Sequence, residues 1–298
     1  MPYSHTRSYI PYLAPGALAV IAVIGLPFLA DIALSFTDWD GVSAIHWTGA
    51  ANYSKLLGDS EFWASFEHNV GLLVAMAIIP TAVGLVLAFA IGDVIARRFS
   101  ARTAAILRAC IYLPQVLPMA VVGIVWSWIL MPQATGGALD AALTSIGLGS
   151  LGRDWLGDPH WALWSVMGVL IWFQLGYPVV IFMSGLARVD PALYEAAELD
   201  GANWARKLWH IIVPQLRPEI YVVLLTCSIA SLKAFAPIYV LTRGGPGGAT
   251  DVPSYFSYVE FFEKTDVGYG SAIATVLVLL ILALTVVFMR VQQRGEDR

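Results

Sequence analysis

The chain has 298 residues, of which 58% are hydrophobic and only 13% charged, with a formal net charge of −4. Soluble domains carry about 25% charged residues, so this composition excludes an ordinary soluble fold and requires a bilayer to cover the apolar surface. The net charge discriminates little; the distribution of charge along the chain is what carries information.

Six stretches are apolar and long enough to span, at residues 11–36, 70–91, 109–131, 161–186, 220–241 and 269–289 of a single transmembrane domain covering 1–298. A hydrocarbon core about 30 Å thick needs about 20 helical residues. The first stretch is longer than the apolar core of a signal peptide and is preceded by Arg7 alone, so it reads as a retained span. Between the first and second lie Tyr53, Lys55, Leu57 and the Glu61-Phe62-Trp63 run, spaced as a short interfacial helix with aromatics at headgroup level. Pro27, Pro80, Pro114, Pro118, Pro178 and Pro237 punctuate the spans, which a helical bundle tolerates when neighbours satisfy the freed backbone groups. Cys110 and Cys227 both fall within spans and read as buried thiols, not as a disulfide or a metal site. The run Gly244-Gly245-Pro246-Gly247-Gly248 lacks the Gly-Lys-Ser/Thr end of a phosphate-binding loop and reads as a turn.

Basic residues orient the chain. With a cytoplasmic N-terminus, the inside segments hold Arg7, Arg97, Arg98, Arg102, Arg108, Arg188, Arg206, Lys207, Arg217, Arg290, Arg294 and Arg298, which is 12 of the 17 Lys and Arg residues. The outside loops keep Lys55, Arg153, Arg243 and Lys264. Both termini, and the polar segment 190–218, are expected on the cytoplasmic side.

That segment is a polar interruption in a greasy chain. Asp190-Pro191 starts a helix, because Asp can cap free N–H groups and Pro loses nothing at the first position. Ala192 to Leu199 are good helix formers, and Gly201 permits the left-handed residue that ends a helix. A second helix over residues 203–212 puts Trp204, Leu208, Ile211 and Ile212 on one face and Arg206 with Lys207 on another, and Pro214 stops it. Physics alone leaves two readings open, a surface amphipathic hairpin or a rigid docking knob.

The pattern Glu195-Ala196-Ala197, three residues, Gly201, nine residues, Ile211-x-x-Pro214 resembles the EAA loop of the membrane subunits of ABC importers, with Val213 where that family usually has Leu. Leu175-Gly176-Tyr177-Pro178, Leu241-Thr242-x-Gly244-Gly245-Pro246 with Thr250, Asn52-Tyr53 with Phe62-Trp63, and Tyr112-Leu113-Pro114 are similar to carbohydrate-importer permeases of the maltose and glycerol-phosphate type. Together they cover roughly residues 10–290; Asp140 departs from the expected Asn. The resemblance implies an all-α membrane protein with the type I (MetI-like) permease fold, six transmembrane helices and cytoplasmic EAA coupling helices. Glu195, Ala196, Ala197, Asp200 and Gly201 would then engage an ATPase subunit, Glu195 reaching a basic residue and Gly201 making the turn that fits its cleft. The implied partners are a second permease, two ATPase subunits, an extracytoplasmic solute-binding protein and membrane lipid, in a bacterial plasma (inner) membrane, with no nucleic acid. No nucleotide motif occurs in this chain, so it is expected to be no enzyme and to hold no cofactor, with ATP and Mg²⁺ on the partner ATPase.

Polar groups at membrane depth normally face the interior or a cavity. Lys233, near the centre of the fifth span, costs about 2.5–3.5 kcal/mol on insertion scales; it lines a path, or it is structural through an ion pair with Asp31 or by snorkelling. Carried over from the Leu-Gly-Tyr-Pro landmark, Phe173, Gln174 and Tyr177 on the fourth span and Ser228, Ser231 and Lys233 (with Cys227) on the fifth are candidates for the solute path. Aromatic faces stack on sugars while amides and hydroxyls hydrogen-bond to them. A di- or oligosaccharide is the expected solute, with glycerol phosphate or its diesters as the alternative. An ion-coupled secondary transporter would need ionisable relays in several spans. An intramembrane enzyme would need paired catalytic groups, and neither pattern occurs.

Overall fold

The computed structural model describes residues 6–95 and 98–296; Arg97 and Arg298 of the charge count lie outside them. The described residues are helical apart from turns, loops and an isolated antiparallel bridge between Thr37 and Trp47. The chain resolves into two compact units, Met1–Ser60 with Phe256–Leu279 and Glu61–Tyr255 with Leu280–Arg298.

In the first unit, α1 (Tyr12–Leu34) is a candidate span, and none of its most apolar window is buried within the chain. Such a surface is stable only where lipid or another subunit covers it. The short helix Ala51–Gly58 closes the end of α1. Asn52 Nδ2 donates to the carbonyls of Ser35 (3.0 Å) and Thr37 (2.7 Å), and the Tyr53 and Ser35 hydroxyls meet at 2.6 Å. The Asn52-Tyr53 pair is thus a backbone clasp. Lys55 pairs with Asp266 at 2.7 Å and lies 3.8 Å from the centre of the Tyr269 ring, at the start of the long final helix Val267–Glu296.

In the second unit the principal helices are α2 (Ser60–Asp93), α3 (Ala101–Val116), α4 (Met119–Ile129) and α5 (Pro159–Leu186). They are followed by α6 (Pro191–Leu199), α7 (Trp204–Gln215), α8 (Arg217–Leu232) and α9 (Ala236–Leu241). The second half of α5 is central and packs on α2, α3 and α8. Small residues permit the approach: a Cβ on Gly84 of α2 would lie 2.7 Å from Pro178 Cβ, and one on Gly176 would lie 2.7 Å from both the Ile111 oxygen and Tyr112 Cα. Close contact at small residues is how helices associate in lipid. The Gly-rich run is a closed turn, with the Thr242 and Thr250 hydroxyls 2.7 Å apart and Thr250 donating to the Gly245 carbonyl at 2.9 Å. Asp140 is buried and accepts from Trp155 Nε1 at 2.7 Å, a role an Asn oxygen fills equally.

Several elements differ from expectation. The segment 109–131 is no single straight helix, since α3 and α4 meet at 97°. Leu117 before Pro118 is extended (φ −74, ψ 141), as sterics before a proline demand, and the helix ends there. The Glu61-Phe62-Trp63 run is no part of an interfacial helix; it belongs to the first turn of α2, which begins ten residues ahead of its apolar stretch. Pro214 does not stop the second hairpin helix, which runs to Gln215 before a 76° bend into α8. A wide π turn at Leu208–Ile212 absorbs that proline; Ile21–Gly25 precedes Pro27 and Val74–Ile78 precedes Pro80 in the same way. A proline lacks an N–H and its ring crowds the carbonyl four residues back, and the wider turn relieves both.

Gly176 faces backbone, which cannot move aside as a side chain can. Gly176→Val is therefore expected to destabilise the unit by about 1–3 kcal/mol, seen as a lowered thermal unfolding midpoint in detergent; an unchanged midpoint would contradict the packing described.

Candidate functional site

The α6–α7 hairpin is built from local rules. Asp190 accepts from the Ala192 N–H at 2.9 Å with Pro191 at the first helical position, capping α6. At its other end Gly201 N–H donates to the Glu198 carbonyl (3.1 Å) and Ala202 N–H to the Ala197 carbonyl (2.9 Å), with Gly201 at φ +69. These two bonds form a Schellman closure, which satisfies the last free carbonyls. Asn203 then caps α7 by accepting from the Arg206 N–H at 2.9 Å. Nothing lies within 4 Å of a Cβ on Gly201, so its requirement is conformational and not spatial.

The hairpin is fastened to the bundle. Phe89 of α2 is 1% exposed and its ring stacks on Trp204 (5.0 Å) and on Tyr194 (6.4 Å). Leu208, Ile212 and Leu216 join Phe89 and Phe182 in the same buried cluster. Arg188, just before α6, pairs with Glu219, just after α7, so the two ends of the hairpin are tied. Lys207 departs from the expected charged face: it is buried, with Nζ 3.4 Å from Asp93 and 3.3 Å from Glu198. Glu195, Ala196, Asp200 and Gly201 are exposed, and Ala197 is turned inward. Leu199 and Trp209, at 90% and 64% exposed, make the free surface of the hairpin apolar as well as charged. Beside it lies a cleft of about 650 Å³ bounded by Phe89, Asp93 and Met183 on one side and Tyr194, Glu195 and Glu198 on the other.

A second group of polar residues is buried inside the bundle. Gln174 Nε2 donates to Cys227 Sγ at 3.2 Å, and Ser228 adjoins it on α8. Ser231 Oγ donates to the Ser228 carbonyl at 2.8 Å, so its hydroxyl is engaged within its own helix. Phe173 and Tyr177 are half-buried, Tyr177 against the cluster beneath the hairpin. Gln174 and Cys227 thus come together, with Ser228 buried beside Cys227 on the same helix. Lys233 stands apart and is exposed at the end of α8, not in a helix centre. Pro237 has no N–H to give the Lys233 carbonyl, which instead accepts from Phe235 at 2.8 Å, and the helix breaks. Sequence reasoning missed Asn69, buried on α2 and donating to the Ser231 carbonyl at 3.2 Å, and His68, whose Nδ1 lies 2.9 Å from the Asp251 carbonyl. The signal was the buried stripe Phe62, Ser65, Asn69, Leu72 at helical spacing, hidden by the polar residues around it.

The fold aligns with a chain in the crystal structure of a bacterial alginate ABC transporter in complex with its alginate pentasaccharide-bound periplasmic protein, at TM-score 0.81 and 20% identity over 97% of this chain and 96% of that one. The two chains therefore share one fold. Residues 81–298 match the family of the binding-protein-dependent transport system inner membrane component, and the chain belongs to that family. A probable ABC transporter permease of Pyrococcus horikoshii is 33% identical over 290 residues, 97% of each chain. A probable permease of a starch degradation products transport system in Thermoanaerobacterium thermosulfurigenes is 29% identical over 97% of this chain and 94% of its own.

Replacing Gly201 by Val forces a β-branched residue into the left-handed region, at a cost of about 1–2 kcal/mol or more. The Ala202 amide is then expected to exchange with solvent about tenfold faster. Unchanged exchange would remove the conformational role assigned to Gly201.

Proposed function

We propose that the chain is one of two permease subunits of an importer that moves a di- or oligosaccharide across a bacterial plasma membrane. An extracytoplasmic binding protein delivers the solute, and two ATPase subunits bind and hydrolyse ATP with Mg²⁺; this subunit performs no hydrolysis. Both termini and the α6–α7 hairpin face the cytoplasm, a reading supported by the 12 of 17 basic residues on that side. The observation that carries the ATPase contact is the hairpin itself: rigid, capped at both helices, and presenting Glu195 beside exposed Leu199 and Trp209. An apolar surface ringed by charge at a membrane edge is what a protein partner covers.

The solute class rests on two supports. One is the relative named for starch degradation products. The other is a buried amide and hydroxyl set, Gln174 and Ser228, near the half-buried rings of Phe173 and Tyr177. Such a set can hydrogen-bond a sugar and stack on its faces. Ser231 contributes backbone order, and Lys233 contributes a cation at the end of the path. Transport proceeds by alternating access: closure of the ATPase pair moves the hairpin, and α8, continuous with it across the 76° bend, turns the polar strip from one side to the other.

Glu195→Lys places a like charge against the basic residue expected on the ATPase. Loss of one partner of such a pair costs about 2–5 kcal/mol. Co-purification of the ATPase and solute uptake into vesicles should therefore both fall at least tenfold while membrane insertion is unchanged; normal uptake would sink the docking assignment. Lys233→Met is expected to raise the uptake KM about tenfold or more, since a hydrogen bond to a charged group is worth about 1.5–3 kcal/mol. Unchanged KM and kcat would remove Lys233 from the path.

A further inference from the structure

Two side chains at the end of α2, Phe89 and Asp93, lie one turn apart and grip both helices of the hairpin in two layers. The aromatic layer is Phe89 stacked on Tyr194 of α6 and Trp204 of α7. The ionic layer is Asp93 on Lys207 of α7, whose ammonium also meets Glu198 of α6. Spacing makes the layers parallel: Tyr194 and Glu198 are four apart on α6, Trp204 and Lys207 three apart on α7, and residues so spaced share a helix face.

The side chains of Lys207 and Asp93 are only 10% and 9% exposed, so the ion pair is withdrawn from water. Burying an ammonium is tolerated only with carboxylates in place, and removing one partner leaves an uncompensated charge. A clamp of this kind is therefore either closed or broken, with little compliance between. Simple anchoring needs only the apolar layer; the buried ionic layer additionally joins α6 to α7 and fixes both to one helix of the bundle.

We propose that this two-layer clamp is the element that carries the ATPase stroke into the membrane, delivering it to α2 as well as through the bend into α8, with Lys207 as the positioning residue. It rests on the docking of the hairpin on an ATPase. If Lys207 breaks from its partners, the ATPase still docks on Glu195 and Gly201 but its movement is taken up by slack in the hairpin.

The test uses the whole importer, with its partner permease, ATPase and binding protein in proteoliposomes, and reads ATP hydrolysed per solute imported. Lys207→Met should raise that ratio about fivefold or more, the scale of a coupling free energy, while Lys207→Arg, which keeps the cation, should stay within about twofold. Glu198→Gln removes one arm at a half-exposed carboxylate and should raise the ratio about two- to threefold, the scale of a solvent-screened ion pair. A wild-type ratio in Lys207→Met and Glu198→Gln, or hydrolysis and uptake falling in proportion, overturns the clamp as a transmission element. If Lys207→Met fails to assemble, Glu198→Gln alone decides. If no ATPase co-purifies with the wild-type chain, the docking reading fails first, and does so separately from the clamp.

Discussion

The arrangement depends on one buried aromatic ring. Phe89 sits at the end of α2 with Tyr194 and Trp204 on it, and through it the polar hairpin joins the same apolar cluster as Phe182, Leu208 and Ile212. Without that ring the hairpin is two short helices, of nine and twelve residues, with no reason to hold one orientation. With it, local capping, the Arg188–Glu219 tie and the Lys207 bridge all reinforce one geometry. Rigidity matters because a hairpin that bends cannot deliver displacement.

The second constraint comes from the bilayer. Backbone groups cannot be left unpaired in hydrocarbon, yet the helices carry prolines. Three are absorbed by wide π turns placed just ahead of Pro27, Pro80 and Pro214, and two helices break outright, before Pro118 and before Pro237. The break leaves Lys233 exposed at the end of α8, beyond the buried strip of that helix that carries Cys227 and Ser228. Continuity of α7 with α8 through a single bent residue, Leu216, links the hairpin to that strip.

Much of the hairpin was legible in the sequence because its signals are local. Asp190, Gly201 and Asn203 act within three residues of themselves, and the apolar face of α7 follows from spacing. Lys207 was not legible. A helical projection groups it with Arg206, and only the arrival of Asp93 from a helix 114 residues away draws it inward. Asn69 was lost for a different reason: hydropathy placed the start of the second span after it, whereas the helix is continuous from Ser60. The sharp angle between α3 and α4 is a tertiary property; Pro118 predicts a break, not its 97°. Lys233 was assigned to a helix centre because apolar residues flank it on both sides, and Pro237 decided otherwise.

With both layers of the clamp closed, the hairpin and α2 should move as one body. Spin labels at Gln215 on the hairpin and Val86 on α2, both exposed, would report it in the assembled importer by pulsed dipolar spectroscopy. One narrow distance distribution, the same in the nucleotide-free and ATP-bound states, is expected. A distance that shifts or broadens when ATP binds would contradict it.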